Sequence, residues 1–467
     1  MGGFFGVASK NDCVLDLFYG TDYHCHLGTK RGGLAVLNSE NNITRFIHDI
    51  TTSQFKSKFI DDMGKLSGKY GIGVISDYED QPLIIGSHLG VYSIATVGVI
   101  KNSIDLAGEL FNKKLTHFSE MSGNEINPTE LIATLINQCE TFEEGIKNVF
   151  AKIEGSASIL VLTEKGIYAA RDKYGRTPVI LGKNENGYAV TMESCAFPNL
   201  NYEYIKDLGP GEIVFLTSDS YQVLAQPNEE MKICAFLWIY YGYPSSSYEG
   251  KNVEEVRYNC GAFLAKNDDL KVDIVAGIPD SGTAHAIGYS NESRVPHKRP
   301  FVKYTPSWPR SFMPQNQEER DLIAKMKLIP IKELTENMRI LFCDDSIVRG
   351  TQLKDTFKRL YDYGAKEIHM RIACPPLLYS CKYLNFSRSR SEFDLAARKA
   401  IKELEGEKEV DLKEYADHNS KKYCQMIEII GKKLGLTSLK YQRLEDMIKA
   451  IGLPEEKICT YCWTGKS

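Results

Sequence analysis

No stretch of this 467-residue chain stays apolar and uncharged for long enough to cross a bilayer as a helix. The chain also lacks a strong excess of either charge, since 57 basic side chains face 61 acidic ones for a formal balance of -4. That balance excludes a general binder of nucleic acid or of anionic membranes. The N-terminus, MGGFFGVASKNDC, has no basic segment followed by an apolar run, so no secretory signal is expected and a cytoplasmic location is. Internal repeats are absent and low-complexity sequence is scarce. What is present is an ordinary globular composition, 43% hydrophobic and 25% charged, enough for two or three domains with large cores. Cysteine, by contrast, is abundant. Twelve thiols in a reducing compartment are expected to be buried groups, metal ligands or catalytic groups rather than structural disulfides.

From Gly3 to about Leu216 short β-like runs alternate with helical stretches. FGVAS, GGLAVL, YGIGVIS and VYSIATVGVI read as strands, while SIDLAGELFNKKL and NPTELIATLINQC have the spacing of amphipathic helices. SASILVLTEKGIYAARDKYGRTPVILGK reads as paired strands with a turn at Asp172–Gly175, and LGPGEIVFL as a closing turn and strand. Strands interleaved with helix pairs predict a layered α+β domain. The polar, proline-bearing LAQPNEEMKIC marks a boundary near 225–232, giving domains over 1–228 and 229–467. Beyond it the rhythm changes. Asp273–Ile278 leads to a loop of small residues and a helix, and Arg339–Phe342 leads to DDSIVRGT, the helix LKDTFKRLYDYGA and the strand IHMRIACPP. Strand, loop, helix, strand is a βαβ unit and predicts a parallel sheet. The charged, helix-prone residues 385–440 read as a peripheral insertion followed by C-terminal helices.

FCDDSIVRGTQ carries the most chemistry. A hydrophobic strand ends at Cys343, the carboxylates Asp344 and Asp345 follow, and a tight loop of Ser346, Ile347, Val348, Arg349, Gly350 and Thr351 opens a helix. Backbone N–H groups and hydroxyls at a helix N-terminus form an anion cradle. Paired carboxylates at a strand end can hold sugar hydroxyls and a magnesium ion. A bare DDS before a glycine is also an ordinary βα turn with capping Asp and Ser. The whole string DDSIVRGT, however, resembles the phosphoribosylpyrophosphate (PRPP) signature of type I phosphoribosyltransferases nearly letter for letter. A second loop, Pro279-Asp280-Ser281-Gly282-Thr283, resembles that family's pyrophosphate loop, which meets a highly charged leaving group with amides, hydroxyls and Mg²⁺. A third stretch, FVKYTPSWPRSFMPQNQEERDLIAKMKL, resembles the lid that closes over PRPP, although its lead-in TPSWPR departs from the usual pattern. The resemblance implies a Mg²⁺ site at Ser281, Asp344 and Asp345. It implies PRPP contacts from Asp280, Ser281, Gly282 and Thr283, from residues 346–351, and from the lid residues Lys303, Arg310 and Lys327.

The cysteines extend the resemblance. Cys234 in KICAFLWIYY, Cys381 in PPLLYSC, and Cys459 with Cys462 in ICTYCWTGK have the contexts of the four ligands in amidotransferases that carry a [4Fe–4S] cluster. A Cys₄ zinc site and scattered core thiols are the competing readings.

In the N-terminal half, TEKGIYAARDKYGRTPVILG, ESCAFP and LGPGEIVFL resemble the class II glutaminase domain of glutamine PRPP amidotransferases, so the likeness spans nearly the whole chain. It implies an α+β, Ntn-hydrolase-like αββα sandwich followed by an α/β type I phosphoribosyltransferase domain. These enzymes use an N-terminal cysteine as nucleophile and its own α-amine as base. Here Gly2 stands at that position. Ser76 and Asp77 stand where the arginine that grips the glutamine carboxylate belongs, Val97-Gly98 replaces the Asn-Gly oxyanion pair, and Pro128 falls where an acidic residue is expected. Loss of one oxyanion donor alone costs about 10²–10³ in rate. The expectation is therefore a chain without glutaminase activity that transfers ammonia, free or from a separate glutaminase subunit, to PRPP. The product would be 5-phosphoribosylamine, the first step of purine synthesis, and the family's habit implies a homo-oligomer. Two other readings are a PRPP-binding regulator without turnover and a phosphoribosyltransferase with a different acceptor. The first lacks a basic helix-turn-helix for a DNA target, and nothing in the sequence names the acceptor for the second.

Overall fold

The computed structural model describes residues 2–77, 79–112, 118–119, 121–122, 125–304, 328–384, 394–406 and 410–466. The chain divides into two units. One holds 1–234, 245–250 and 382–386, and the other holds 235–244, 251–381 and 387–467.

The first unit is built on two antiparallel sheets. Strand Gly3–Ser9 lies at the centre of a seven-stranded sheet, between Gly187–Thr191 and Tyr70–Ser76. Strands Ile180–Asn184 and Glu203–Asp207 extend that sheet on one side, Arg31–Leu37 and Ile43–Asp49 on the other. The second sheet runs Tyr221–Ala225, Ile213–Leu216, Gly166–Ala170, Gly155–Thr163, Gly90–Ile100, Leu83–Ser87. Because strand side chains alternate between faces, Phe4 and Ala8 enter a core with Ala95, Val97, Leu160 and Leu162 of the second sheet. Phe5, one residue on, packs instead on helix Val14–Asp22, against Gly20. The other face of the second sheet, with Ile94, Ile159 and Val161, is covered by Leu106, Leu131, Leu135 and Ile146 of three helices. Helix, sheet, sheet, helix is the expected αββα sandwich.

One local expectation shifts. The strands Gly155–Thr163 and Gly166–Ala170 are joined at Glu164–Lys165. The turn at Asp172–Gly175, closed by Gly175 N–H to Asp172 O at 2.9 Å, instead leads out of that sheet toward Ile180–Asn184 in the other.

The second unit is a parallel sheet in the order Ile274–Gly277, Arg339–Asp344, Glu367–Ile372, Ser438–Tyr441, with helices between the strands. The βαβ unit expected around DDSIVRGT is present, with helix Thr351–Asp362 as its crossover. The segment read as a peripheral insertion is only partly that. It supplies helices Ala396–Glu405 and Lys421–Leu434 and then the fourth strand. That strand is four residues, SLKY, too short for its alternation to stand out in sequence. A buried ion group ties this sheet to the loop before it. Asp268 accepts from Arg371 (2.5 and 3.1 Å), Lys440 (3.0 Å) and Tyr289 (2.9 Å). Among the described residues no helix is long and apolar enough to cross a membrane.

In the first unit Asp207 and Glu249 are held near each other. Burial first, and the Glu249 charge second, push the Asp207 carboxyl up to about 6. A raised folded-state value means the proton-linked stability is complete below the ordinary carboxylate range and is lost as pH rises to about 6. Thermal denaturation from pH 4 to 7 is expected to show that loss in the wild type and a flatter profile in Asp207→Asn.

Candidate active site

Strand Arg339–Asp344 ends in the carboxylate pair expected from sequence. Ser281 Oγ and the Asp345 amide both donate to Asp344 Oδ1 at 3.0 Å, and Ser346 Oγ donates to Asp345 Oδ1 at 2.5 Å. Both aspartates are buried. Burial, then the neighbouring Asp345 charge, raises Asp344 far above the carboxylate range. Burial also raises Asp345, against hydrogen bonds from Ser346 and Ser281 that favour its ionised form. Two buried, hydrogen-bonded carboxylates ionise together only when a cation joins them. A hard oxygen donor set of this kind suits Mg²⁺.

Two loops frame the pair. Residues 279–283 follow strand Ile274–Gly277, and Ile278 N–H donates to Cys343 O at 3.0 Å. A Cβ at Gly282 would lie 2.1 Å from that same oxygen, so only glycine lets the loop press against the strand end. Helix Thr283–Ser293 begins there, with Thr283 N–H turned back onto Asp280 O at 3.2 Å. Asp280 also pairs with Lys303 Nζ at 2.6 Å, which brings one expected lid cation to the loop. In the second loop Ile347 is buried, Val348 O accepts from Ala396 N–H at 2.8 Å, and Arg349 lies 3.8 Å from Asp394. Gly350 adopts φ +75° as the N-cap of helix Thr351–Asp362, a conformation glycine takes without penalty. All twelve expected contacts in these two loops and the acid pair thus share one end of the sheet, and Lys303 joins them through Asp280. Arg310 and Lys327 lie outside the described residues.

At the end of the central strand, where Gly2 sits, the chemistry is different. Gly3 pairs with Ile75 and Arg31 with Ser76, so residue 2, Ser76 and the 29–31 segment meet there. A Cβ at residue 2 would lie 2.2 Å from Ile75 O. Asp77 is buried and accepts from Thr29 N–H at 2.9 Å, while Arg31 is paired with Asp49 and, at 2.7 Å, with Asp80. Val97 is part of the core between the sheets. Pro128 is the first residue of a helix capped by Asn127, whose side chain accepts from Thr129 N–H at 2.9 Å, a placement that suits proline.

A nearby polar group was not singled out in sequence. Glu193 is buried and accepts from His26 (2.9 Å), Tyr248 (2.8 Å) and Ser246. Its partners are scattered along the chain, so no local pattern could announce it.

The four cysteines Cys234, Cys381, Cys459 and Cys462 are all buried. Leu378 and Tyr379 N–H donate to Cys462 O at 3.0 and 3.1 Å, and Ala235 N–H to Cys459 O at 3.5 Å. Thiols are the donor type an iron–sulfur cluster requires. Among the described residues no three His, Cys, Asp or Glu side chains gather as a metal-holding group.

A two-sheet amidotransferase-type unit and a parallel-sheet unit with a paired-acid phosphate loop define a two-part amidotransferase of the phosphoribosyltransferase class. The comparisons agree. A glutamine amidotransferase domain family matches residues 70–199. The chain is 30% identical to the amidophosphoribosyltransferase of Methanocaldococcus jannaschii over 100% of its own length and 97% of that protein. It is 27% identical to the Bacillus subtilis enzyme, covering 99% and 93%. A solved B. subtilis glutamine PRPP amidotransferase complexed with ADP and GMP superposes with a TM-score of 0.85 at 26% identity, covering 99% and 96%. The chain belongs to the amidophosphoribosyltransferase family, whose members are enzymes of the phosphoribosyltransferase class.

Asp345→Asn removes a carboxylate that the fold must bury. Because Asp345 is raised in the folded state, its linked stability is present in acid and lost as pH rises through the carboxylate range. The variant is expected to be more stable at neutral pH by about 1–3 kcal/mol, a gap that closes on acidification. Its affinity for PRPP with Mg²⁺ should fall at least tenfold. Calorimetric unfolding and titration calorimetry check the two halves.

Proposed function

We propose that this chain transfers free ammonia to PRPP, releasing pyrophosphate and forming 5-phosphoribosylamine, and that its amidotransferase unit does not hydrolyse glutamine. The observation that carries the reading is residue 2. Glycine offers no nucleophile, and a Cβ there would meet the Ile75 carbonyl at 2.2 Å. The backbone at this strand end is therefore packed for a residue without a side chain. The replacement of the arginine by Ser76 and Asp77, the buried Val97 and the helix-starting Pro128 point the same way.

In the transferase unit Asp344 and Asp345 would accept from the ribose hydroxyls and, with Ser281, would hold the metal. Backbone N–H groups of residues 346–351 receive the 5-phosphate, and residues 279–283 receive the pyrophosphate. Mg²⁺, when bound, neutralises charge on the departing pyrophosphate. The C1–O bond to pyrophosphate breaks through a cation-like sugar, and the lone pair of neutral ammonia forms the new C1–N bond. Ammonia is already nucleophilic, so no strong protein base is required. A proton leaves the new ammonium to solvent. A separate glutaminase subunit could supply the ammonia, and the chain is proposed to act in the cytoplasm as a homo-oligomer.

We further propose that Cys234, Cys381, Cys459 and Cys462 carry a [4Fe–4S] cluster. Support comes from their sequence contexts and from the hydrogen bonds that bring 378–379 to Cys462 and Ala235 to Cys459. A cluster would tie down these segments, a structural role.

The deciding assay is pyrophosphate release from PRPP and Mg²⁺ with ammonium chloride or with glutamine. Turnover with ammonia alone is expected, turnover with glutamine overturns the reading of Gly2, and no turnover with either overturns the transferase assignment. Gly2→Cys is expected to leave glutamine inert. Anaerobically purified protein should be brown and lose that absorbance in Cys459→Ser, whereas colourless, zinc-loaded protein would rule the cluster out.

A further inference from the structure

Arg257 and His285 reach the same short turn from two different helices. Helices Val253–Lys266 and Thr283–Ser293 touch backbone to backbone, since a Cβ at Gly261 would lie 2.0 Å from His285 O and one at Gly288 would lie 2.1 Å from Tyr258 O. Against them lies a single wide π-type turn, Leu237–Tyr241, closed by Gly242 N–H to Leu237 O at 2.6 Å. Turns of this kind leave carbonyls outside the regular helical ladder. Arg257 donates to Trp238 O (2.9 Å), Tyr240 O (2.8 Å) and Gly242 O (2.9 Å). His285 Nε2 lies 3.2 Å from Ile239 O. Two side chains therefore serve four carbonyls of one turn.

His285 is completely buried, and burial, followed by the Arg257 charge, pushes its pKa down to about 3. A neutral imidazole has one N–H, and a carbonyl only accepts, so the proton sits on Nε2. Nδ1 is then a bare acceptor, buried and without a hydrogen-bond partner. An unmet buried acceptor is a standing cost. A leucine would fill the same space without it. The ring also meets the Arg257 backbone, but the one hydrogen bond closed at good geometry is that to Ile239 O, and a buried acceptor left unmet gives stability no reason for an imidazole here. That bond starts two residues beyond Thr283, in the first turn of the helix that residues 279–283 lead into.

We propose that His285 is a positioning residue for the 279–283 loop. Its N–H bond to Ile239 O, on a turn that Arg257 holds rigid, fixes the rotation and depth of the helix N-terminus that presents the loop to the pyrophosphate of PRPP. The inference rests on the reading of 279–283 as the pyrophosphate loop.

The test compares full-length wild type, His285→Leu and His285→Gln. Leucine keeps the volume and removes the N–H, whereas glutamine restores a donor. The readouts are the unfolding temperature, and kcat and KM for PRPP in the ammonia-dependent release of pyrophosphate. His285→Leu is expected to unfold at the same or a higher temperature, with KM for PRPP raised at least fivefold and kcat within twofold. His285→Gln is expected to recover most of the KM. An unchanged KM in His285→Leu overturns the proposal. So does a His285→Leu chain that fails to fold or melts lower, because the imidazole would then be serving stability. Calorimetric binding of PRPP and Mg²⁺ to the wild type is the separate control. Its absence would overturn the pyrophosphate-loop reading itself, whereas binding with an unmoved KM would overturn only the role of His285.

Discussion

Three hydrogen bonds at Asp344 hold the transferase end of the molecule together. Its carboxylate takes the Ser281 hydroxyl and the Asp345 amide at 3.0 Å each, and its backbone oxygen takes Ala373 N–H at 2.9 Å. One residue thereby joins the ends of three neighbouring strands, at 277–281, 344–345 and 372–373. A parallel sheet gathers its loops at the C-terminal ends of its strands, where α/β proteins bind their ligands. Placing two carboxylates there, buried and adjacent, raises both above their ordinary range. The fold bears an electrostatic cost that a divalent cation and a sugar with hydroxyl donors would relieve. Such binding would draw on the same atoms that carry the strain.

The amidotransferase unit illustrates the opposite case. Its cores contain Phe4, Ala8, Leu160, Leu131 and Ile146, and none of these depends on what residue 2 offers chemically. Burying those side chains, at roughly 25 cal/mol per Å² of apolar surface, stabilises the sandwich whether or not a nucleophile is present. The residues at the end of a strand can change while the sheets persist. The polar atoms at that strand end have found local partners, as with Asp77 on Thr29 and Arg31 on Asp49 and Asp80. The same fold therefore carries no information about activity until the side chains at its rim are read.

Strand periodicity, the helix repeats and the DDSIVRGT string were readable from the sequence because each is a local pattern: neighbours in the chain, or residues two to four apart, decide it. The identity of Gly2, on which the proposed loss of glutaminase activity rests, is equally local. Other features depended on distant segments coming together. The join at Glu164–Lys165 was missed because the Asp172–Gly175 turn signal is stronger, yet that turn connects two sheets rather than two strands of one. The strand Ser438–Tyr441 is defined by its pairing with Glu367–Ile372, about seventy residues away, more than by its own four residues. The Glu193 cluster, the four carbonyls shared by Arg257 and His285, and the 2.2 Å crowding at Gly2 are likewise products of packing. The sequence by itself determined which chemical groups this protein possesses. The tertiary structure decided which of them are buried, paired or pressed against a backbone, because burial and hydrogen bonding depend on contacts between residues far apart in the chain.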